Sequence, residues 1–132
     1  MSLKDTIAAA DDRRTELVTV PEWGNVRLLL KSLDGADYRW FVKLATVAGR
    51  DLLEMAMENA SELIQRATYD PDHPADLVFA REDIAGILEQ KSLAVRQGIV
   101  GKIVTLTMPS ESEVSAEKKD SSTAATSASG TP

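Results

Sequence analysis

The sequence contains no cysteine. Disulfide frameworks, thiol catalysis and zinc–thiolate centres are therefore excluded, because each depends on sulfur at defined spacing. There is a single histidine, His73, and the chain nominates neither a nucleophile for it to serve nor a partner to orient it. No glycine-rich phosphate cradle follows a predicted strand, and no carboxylate pair stands apart from the general acidity. The longest uncharged apolar run falls far short of the ~20 residues that cross a bilayer, and the first residues lack the basic-then-apolar layout of a secretory leader. Basic charge is in deficit, with 15 Lys+Arg against 21 Asp+Glu and a net charge of −6. Nucleic-acid binding draws on clustered Lys and Arg, so this balance argues against a polyanionic partner. These absences predict a soluble, intracellular, acidic protein that is not an enzyme and uses no cofactor.

What is present fits one modest domain. The chain has 132 residues, enough to bury a real core, and it divides sharply at Pro109. Over 110–132 the only large apolar residue is Val114. Such a segment cannot offset an ordering cost of roughly 1–2 kcal/mol per residue. The sequence therefore predicts a single globular domain over 1–109 and a disordered Ser/Thr/Ala-rich tail over 110–132.

Within the domain, Ser2 and Asp5 form a capping-box start, and Leu3, Ile7 and Ala10 share one face. That predicts an amphipathic helix over 1–14. β-Branched and apolar residues then flank Pro21-Glu22-Trp23-Gly24-Asn25, which predicts a β-hairpin over 16–31 with a five-residue loop. Val26, Leu28 and Leu30 share one strand face. Arg27 and Lys31 take the other, where Leu29 implies partial cover.

The rest of the domain, 34–108, reads as helical. Asp34 is an N-cap with Asp37 at the third helical position, and Leu33 can staple against Tyr38. An apolar stripe runs through Tyr38, Phe41, Val42 and Ala45 to Gly49, a kink or short break, and continues through Leu52, Met55, Ala56 and Leu63. Two prolines and three aspartates predict a loop over 69–77. A helix follows over 80–90, with Ile84, Ile87 and Leu88 inward. Ser92 caps a last helix reaching about Thr107, although 103–108 also has fair strand propensity, and Gly98 and Gly101 each cost a helix about 1 kcal/mol. The fold class is α+β and mostly helical: an N-terminal helix, one β-hairpin, then three to four helices in a single small domain.

Few residues invite a functional assignment. Asp70, Asp72 and Asp76 look like a calcium loop, but Ala75 stands where the required glycine would be and Arg81 where the bidentate glutamate would be. No metal site is predicted. Trp23, Trp40, Met55 and Met57 are candidate partner-binding residues because they are large or adaptable, with a core role equally open for each. The apolar excess can serve the core or a self-interface.

In order along the chain, these features resemble the tail assembly chaperones of long-tailed (siphovirus-type) bacteriophages. A strand enters the Pro-Glu-Trp-Gly turn at Pro21 to Gly24, and a second strand follows. Leu33 to Asp37 reads Leu-Asp-Gly-Ala-Asp at a helix start, where the family tends to carry a Leu-Thr-Gly-Ala-Glu type sequence. An Asp-rich turn leads to Val78-Phe79 and the Arg-Glu-Asp-Ile helix start at Arg81 to Ile84. Glu89 to Leu93 reads Glu-Gln-Lys-Ser-Leu before the final helix. The run covers about 16–107. Two places depart from the family pattern: the turn before Phe79 lacks a glycine, and Ala80 stands where a capping Thr or Ser is usual.

The resemblance implies a non-enzymatic protein of the host cytoplasm that is absent from the finished virion. It implies binding to the long, helical tape measure protein, which the chaperone keeps soluble during tail tube assembly. It also implies a longer product, made by −1 ribosomal frameshifting, that recruits the tail tube protein; Lys118-Lys119 is a dipeptide that a slippery A-rich heptamer encodes. Two other classes stay open: a structural tail or head–tail connector protein, and a small adaptor unrelated to phage.

Overall fold

The computed structural model describes residues 2–108; the predicted tail, with Lys118 and Lys119, lies outside the described residues. The elements are helix α1 (Leu3–Ala9), strands β1 (Thr15–Val20) and β2 (Val26–Lys31), helices α2 (Gly35–Ala48), α3 (Leu52–Glu58) and α4 (Ala60–Ala67), strands β3 (Thr68–Asp70) and β4 (His73–Leu77), and helices α5 (Asp83–Gly86) and α6 (Leu93–Thr107). Short 3₁₀ turns occupy Pro21–Trp23 and Leu88–Gln90. The four strands form one antiparallel sheet in the order β1-β2-β3-β4. The architecture is the predicted α+β, mostly helical one.

The first hairpin forms because its loop can reverse the chain. Gly24 and Asn25 both adopt left-handed backbone angles, φ 80° and 59°, a conformation open to Gly and tolerated by Asn. The resulting register sets Val18 against Leu28 and Glu16 against Leu30 on one face, and Leu17 against Leu29 on the other. Val18, Val20, Leu28 and Leu30 are buried. They meet Leu63 and Ile64 of α4 and Ile99, Val100 and Ile103 of α6 in one continuous core. Helices thus cover a single face of the sheet.

After β2 the caps expected at Asp34 and Ser92 form, and the structure adds one at Asp51. Asp34 accepts from the Asp37 amide at 2.8 Å, Asp51 caps α3 through the Glu54 amide at 2.9 Å, and Ser92 caps α6 through the Val95 amide. Gly49, with φ 69°, ends α2. The stripe beyond it is two helices. The chain leaves helical geometry at Asn59 (φ −112°, ψ 34°), where the side chain and the backbone amide both donate to the Met55 carbonyl, each at 2.9 Å. Residues 103–108 continue α6 as a helix to Thr107.

Four expectations need correction. The predicted loop over 69–77 contains β3, β4 and the tight turn between them. Leu29 and Leu30 pair with Tyr69 and Thr68, and the Asp70 carboxylate turns the chain by accepting from the Asp72 amide at 2.8 Å. The predicted helix over 80–90 shrinks to α5 and a 3₁₀ turn, because the chain leaves helical geometry at Ile87 just after Gly86. The helix predicted over 1–14 keeps its capping box but ends at Ala9, and none of its residues is buried.

Beyond it the chain extends so that Asp11 reaches Lys31, and this gives the fourth correction. Lys31, expected on the polar face, is only 4% exposed. Its Nζ lies 2.6 Å from Asp11 and 4.2 Å from the centre of the Tyr69 ring, and Arg13 donates to the Tyr69 hydroxyl at 3.1 Å. This is the cover that Leu29 implied.

Thr68 is fully buried, and its Oγ1 has no hydrogen-bond partner among the described residues. An unsatisfied buried hydroxyl costs roughly 1–3 kcal/mol, so Thr68→Val is expected to raise unfolding stability by about 1 kcal/mol or more. Leu30→Ala, at the centre of the core, is expected to lower it by about 2–5 kcal/mol. Urea denaturation measures both.

Candidate partner-binding groove

An open apolar concavity lies at the hairpin-loop end of the sheet. It holds about 590 Å³. Leu28, Phe79 and Leu88 form its buried floor, while Trp23, Val26, Val78 and Ile87 form its walls. Each wall has a local cause. The left-handed pair Gly24-Asn25 turns the 3₁₀ segment bearing Trp23 back beside β2. The amide of Val78 donates to the Thr68 carbonyl at 3.0 Å, extending the β3–β4 pairing and setting Phe79 over the core. Gln65 Nε2 donates to the Phe79 carbonyl at 3.1 Å, so the segment is held from α4 as well.

Ile87, expected inward, is 40% exposed and faces this groove. Val26 and Val78 are similarly open, so the walls present apolar surface to water. The rim is charged with both signs, Glu22 and Asp70 against Arg27 and Lys91. The backbone amide of Asp72, above all, holds the Asp70 carboxyl below its ordinary range, and the nearby imidazole of His73 adds to this. His73 itself is a surface residue with Asp70 at 3.5 Å. A concave apolar floor with a mixed-charge rim suits the apolar stripe of an amphipathic helix. Among the described residues no cluster of His, Asp or Glu is suited to hold a metal ion, and no helix is long and apolar enough to cross a membrane.

The four candidates from the sequence do not converge here. Trp23 lines the groove. Trp40 is half-buried on α2, with the Arg66 guanidinium stacked 4.0 Å from its ring centre. Met55 is enclosed in the core, and Met57 packs against it from outside. Sequence reasoning missed Val26, Val78, Phe79 and Ile87 as one surface. The signal available was the apolar run Leu77 to Ala80 between Asp76 and Arg81; what joins it to Trp23 is the β2–β3 pairing, which periodicity alone does not expose.

An ionic hub lies beside the groove and is linked to its floor through Gln65, which contacts both Arg81 and the Phe79 carbonyl. Arg66 reaches Asp37 at 2.5 Å and Glu62 at 3.0 Å, and Arg81 pairs with the same Glu62 and with Gln65. Burial alone pushes the Glu62 carboxyl up, but the two guanidiniums outweigh it and hold it below the usual 4.5. The stabilisation from this depressed carboxylate is complete above that pH and is lost as pH falls through the folded-state value. The stability gap between wild type and Glu62→Gln is therefore expected to narrow as pH drops below about 4.5, as followed by urea titrations across that range.

No family model matches the chain, and no curated protein sequence does. A solved structure, that of the bacteriophage HK97 tail assembly chaperone, matches with a TM-score of 0.54 at 20% identity, covering 82% of this chain and 96% of that one. The chain thus shares its fold with a phage tail assembly chaperone.

Proposed function

We propose that this protein is a tail assembly chaperone of a long-tailed bacteriophage, with no catalytic role. It binds the tape measure protein and keeps it soluble while the tail tube assembles. The observation that carries this reading is the open apolar groove of Trp23, Val26, Val78 and Ile87 on a fold shared with such a chaperone. A very long helical partner exposes apolar stripes that aggregate unless covered. A shallow groove with a charged rim covers a stripe, and tube subunits can still displace it. In this reading the protein acts in the host cytoplasm and is absent from the mature virion. Trp40, Met55 and Met57 then support the groove's scaffold, and only Trp23 of the four candidates meets the partner.

Co-expression with the phage's longest helical protein tests the proposal. The chaperone is expected to keep that protein in the soluble fraction and to co-purify with it. Ile87→Asp places a charge in the groove wall and is expected to weaken binding about tenfold or more, while circular dichroism stays unchanged. Trp23→Ala is expected to act in the same direction. Mass spectrometry of purified virions separates the chaperone from a structural tail component, which would remain in the particle.

The frameshift belongs to the same proposal. Codons for Lys118 and Lys119 are expected to form a slippery heptamer that opens into an overlapping −1 frame, giving the longer product that recruits the tail tube protein. Nucleotide sequencing through that position checks it; ordinary codons with no open −1 frame would remove the two-product idea and leave the groove reading intact.

A further inference from the structure

β2 is paired along its whole length on one side and along only part of it on the other. Toward β1 the pairs run from Val26 to Lys31, whereas toward β3 they cover only Leu29 and Leu30. The Ser32 amide donates to the Arg14 carbonyl, which fixes the phase of the ladder. Val26, Leu28 and Leu30 therefore turn their amides and carbonyls toward β1, and Arg27 and Leu29 turn theirs toward β3. Leu29 meets Tyr69. The position that would meet Arg27 falls on Pro71, which has no N–H, and the turn at Asp70 takes the chain away toward β4. Among the described residues the Arg27 amide and carbonyl have no hydrogen-bond partner.

This gap in the sheet opens into the apolar groove, which Val26, Arg27 and Leu28 border from β2, and Asp70 and Pro71 from the turn. Strand alternation sends the Val26 and Leu28 side chains to the groove side and the Arg27 side chain to the outer face. That side chain is exposed, and among the described residues it has no carboxylate partner.

We propose that the groove takes a short extended segment of its partner, apolar–acidic–apolar in sequence, as a strand added to β2 at Arg27. The inference rests on the groove being the partner site, as proposed above, and names what enters it. The apolar floor alone accepts the stripe of a helix; the open edge distinguishes the two occupants. A helix already pairs its own N–H and C=O groups, so one laid over the groove would enclose the Arg27 amide and carbonyl without partners.

An extended residue opposite Arg27, in the antiparallel sense of the rest of the sheet, satisfies both groups. Its N–H donates to the Arg27 carbonyl, and its carbonyl accepts from the Arg27 amide. Cross-strand neighbours share a face, so its side chain lies beside the Arg27 guanidinium, where Asp or Glu fits. The residues before and after it point the other way, over Leu28, Phe79 and Leu88, where large apolar side chains fit. The groove's volume of about 590 Å³ has room for such a tripeptide. A long helical partner then meets this site where its helix is interrupted.

Two probes test the strand addition on the full chain: the peptide Ser-Thr-Ser-Leu-Asp-Leu-Ser-Thr-Ser, and the same peptide N-methylated at its aspartate. In proton–nitrogen NMR titrations the parent peptide is expected to shift the Arg27 amide and slow its hydrogen exchange. N-methylation removes the donor to the Arg27 carbonyl and is expected to weaken binding about tenfold or more. Arg27→Glu is expected to weaken the parent peptide by a similar factor and to favour its Leu-Lys-Leu counterpart, with circular dichroism unchanged. Both substitutions, Arg27→Glu and Ile87→Asp, are expected to weaken binding of the phage's longest helical protein. A peptide that ignores N-methylation, or fails to bind at about 1 mM, overturns the strand addition; if Ile87→Asp still weakens the long protein, the groove reading survives with a helix as occupant. Binding of the long protein that is indifferent to Ile87→Asp overturns the groove reading itself, and this inference with it.

Discussion

The fold depends on one buried layer, the contact of Leu28 and Leu30 on β2 with Leu63 and Ile64 on α4 and Ile103 on α6. Everything local was already available to the chain: capped helices, a hairpin loop with two left-handed residues, an Asx turn. None of these is stable alone, since short helices and lone hairpins are marginal in water. β2 becomes the centre of the molecule because it is paired on both edges and buried on its inner face. Leu30, completely enclosed, is where the sheet, the middle helices and the last helix meet. Burial of this layer aligns α4 so that its C-terminal end runs straight into β3 beside β2. That alignment builds the second hairpin.

The second hairpin shows why part of the structure was legible and part was not. Caps and positive-φ turns act over three or four residues, so Ser2, Asp34 and Ser92 were readable from spacing alone, and Gly49 already marked a break. Alternation in β2 was equally plain. Thr68-Tyr69 offered only two strand-like residues before an Asp/Pro cluster, and local chemistry favoured a loop. The unpaired edge of β2 overrides that preference, because Leu29 and Leu30 would otherwise leave backbone groups without partners. Lys31 failed for a related reason. A lysine read by alternation faces water, but an aspartate arriving from a different segment and an aromatic ring from a different strand make burial of its stem and amine favourable. The groove shares this property: Trp23, Val26, Val78 and Ile87 come together through strand order, which no single segment encodes.

The charged network supports the same architecture from outside. Arg66 stacks on Trp40 and joins Asp37 of α2 to Glu62 of its own helix, while Arg81 ties the segment after β4 to that same glutamate. Half-exposed ion pairs contribute little individually. Their value here is positional, because two segments distant in sequence are fixed to one helix, and that helix is the one on which the sheet rests. Asp11 does the equivalent for the N-terminal segment through Lys31 and Arg13. An acidic chain thus uses several of its scarce cations where segments cross.

The proposed role calls for a rigid part and an adhesive part, and the structure separates a braced layer from open apolar surface. The rigid part is the β2–α4–α6 layer with its ionic braces. The part suited to adhesion is the apolar surface left open at the rim of the sheet, the walls of the groove. Had Val26, Val78 and Ile87 closed over Leu28 and Phe79, the domain would gain core and lose its contact surface. Their partial exposure has the opposite consequence. Each residue contributes to binding only the increment of area that the partner removes from water, at about 25 cal/mol per Å² before the costs of association. A groove assembled from such increments binds appreciably but not irreversibly.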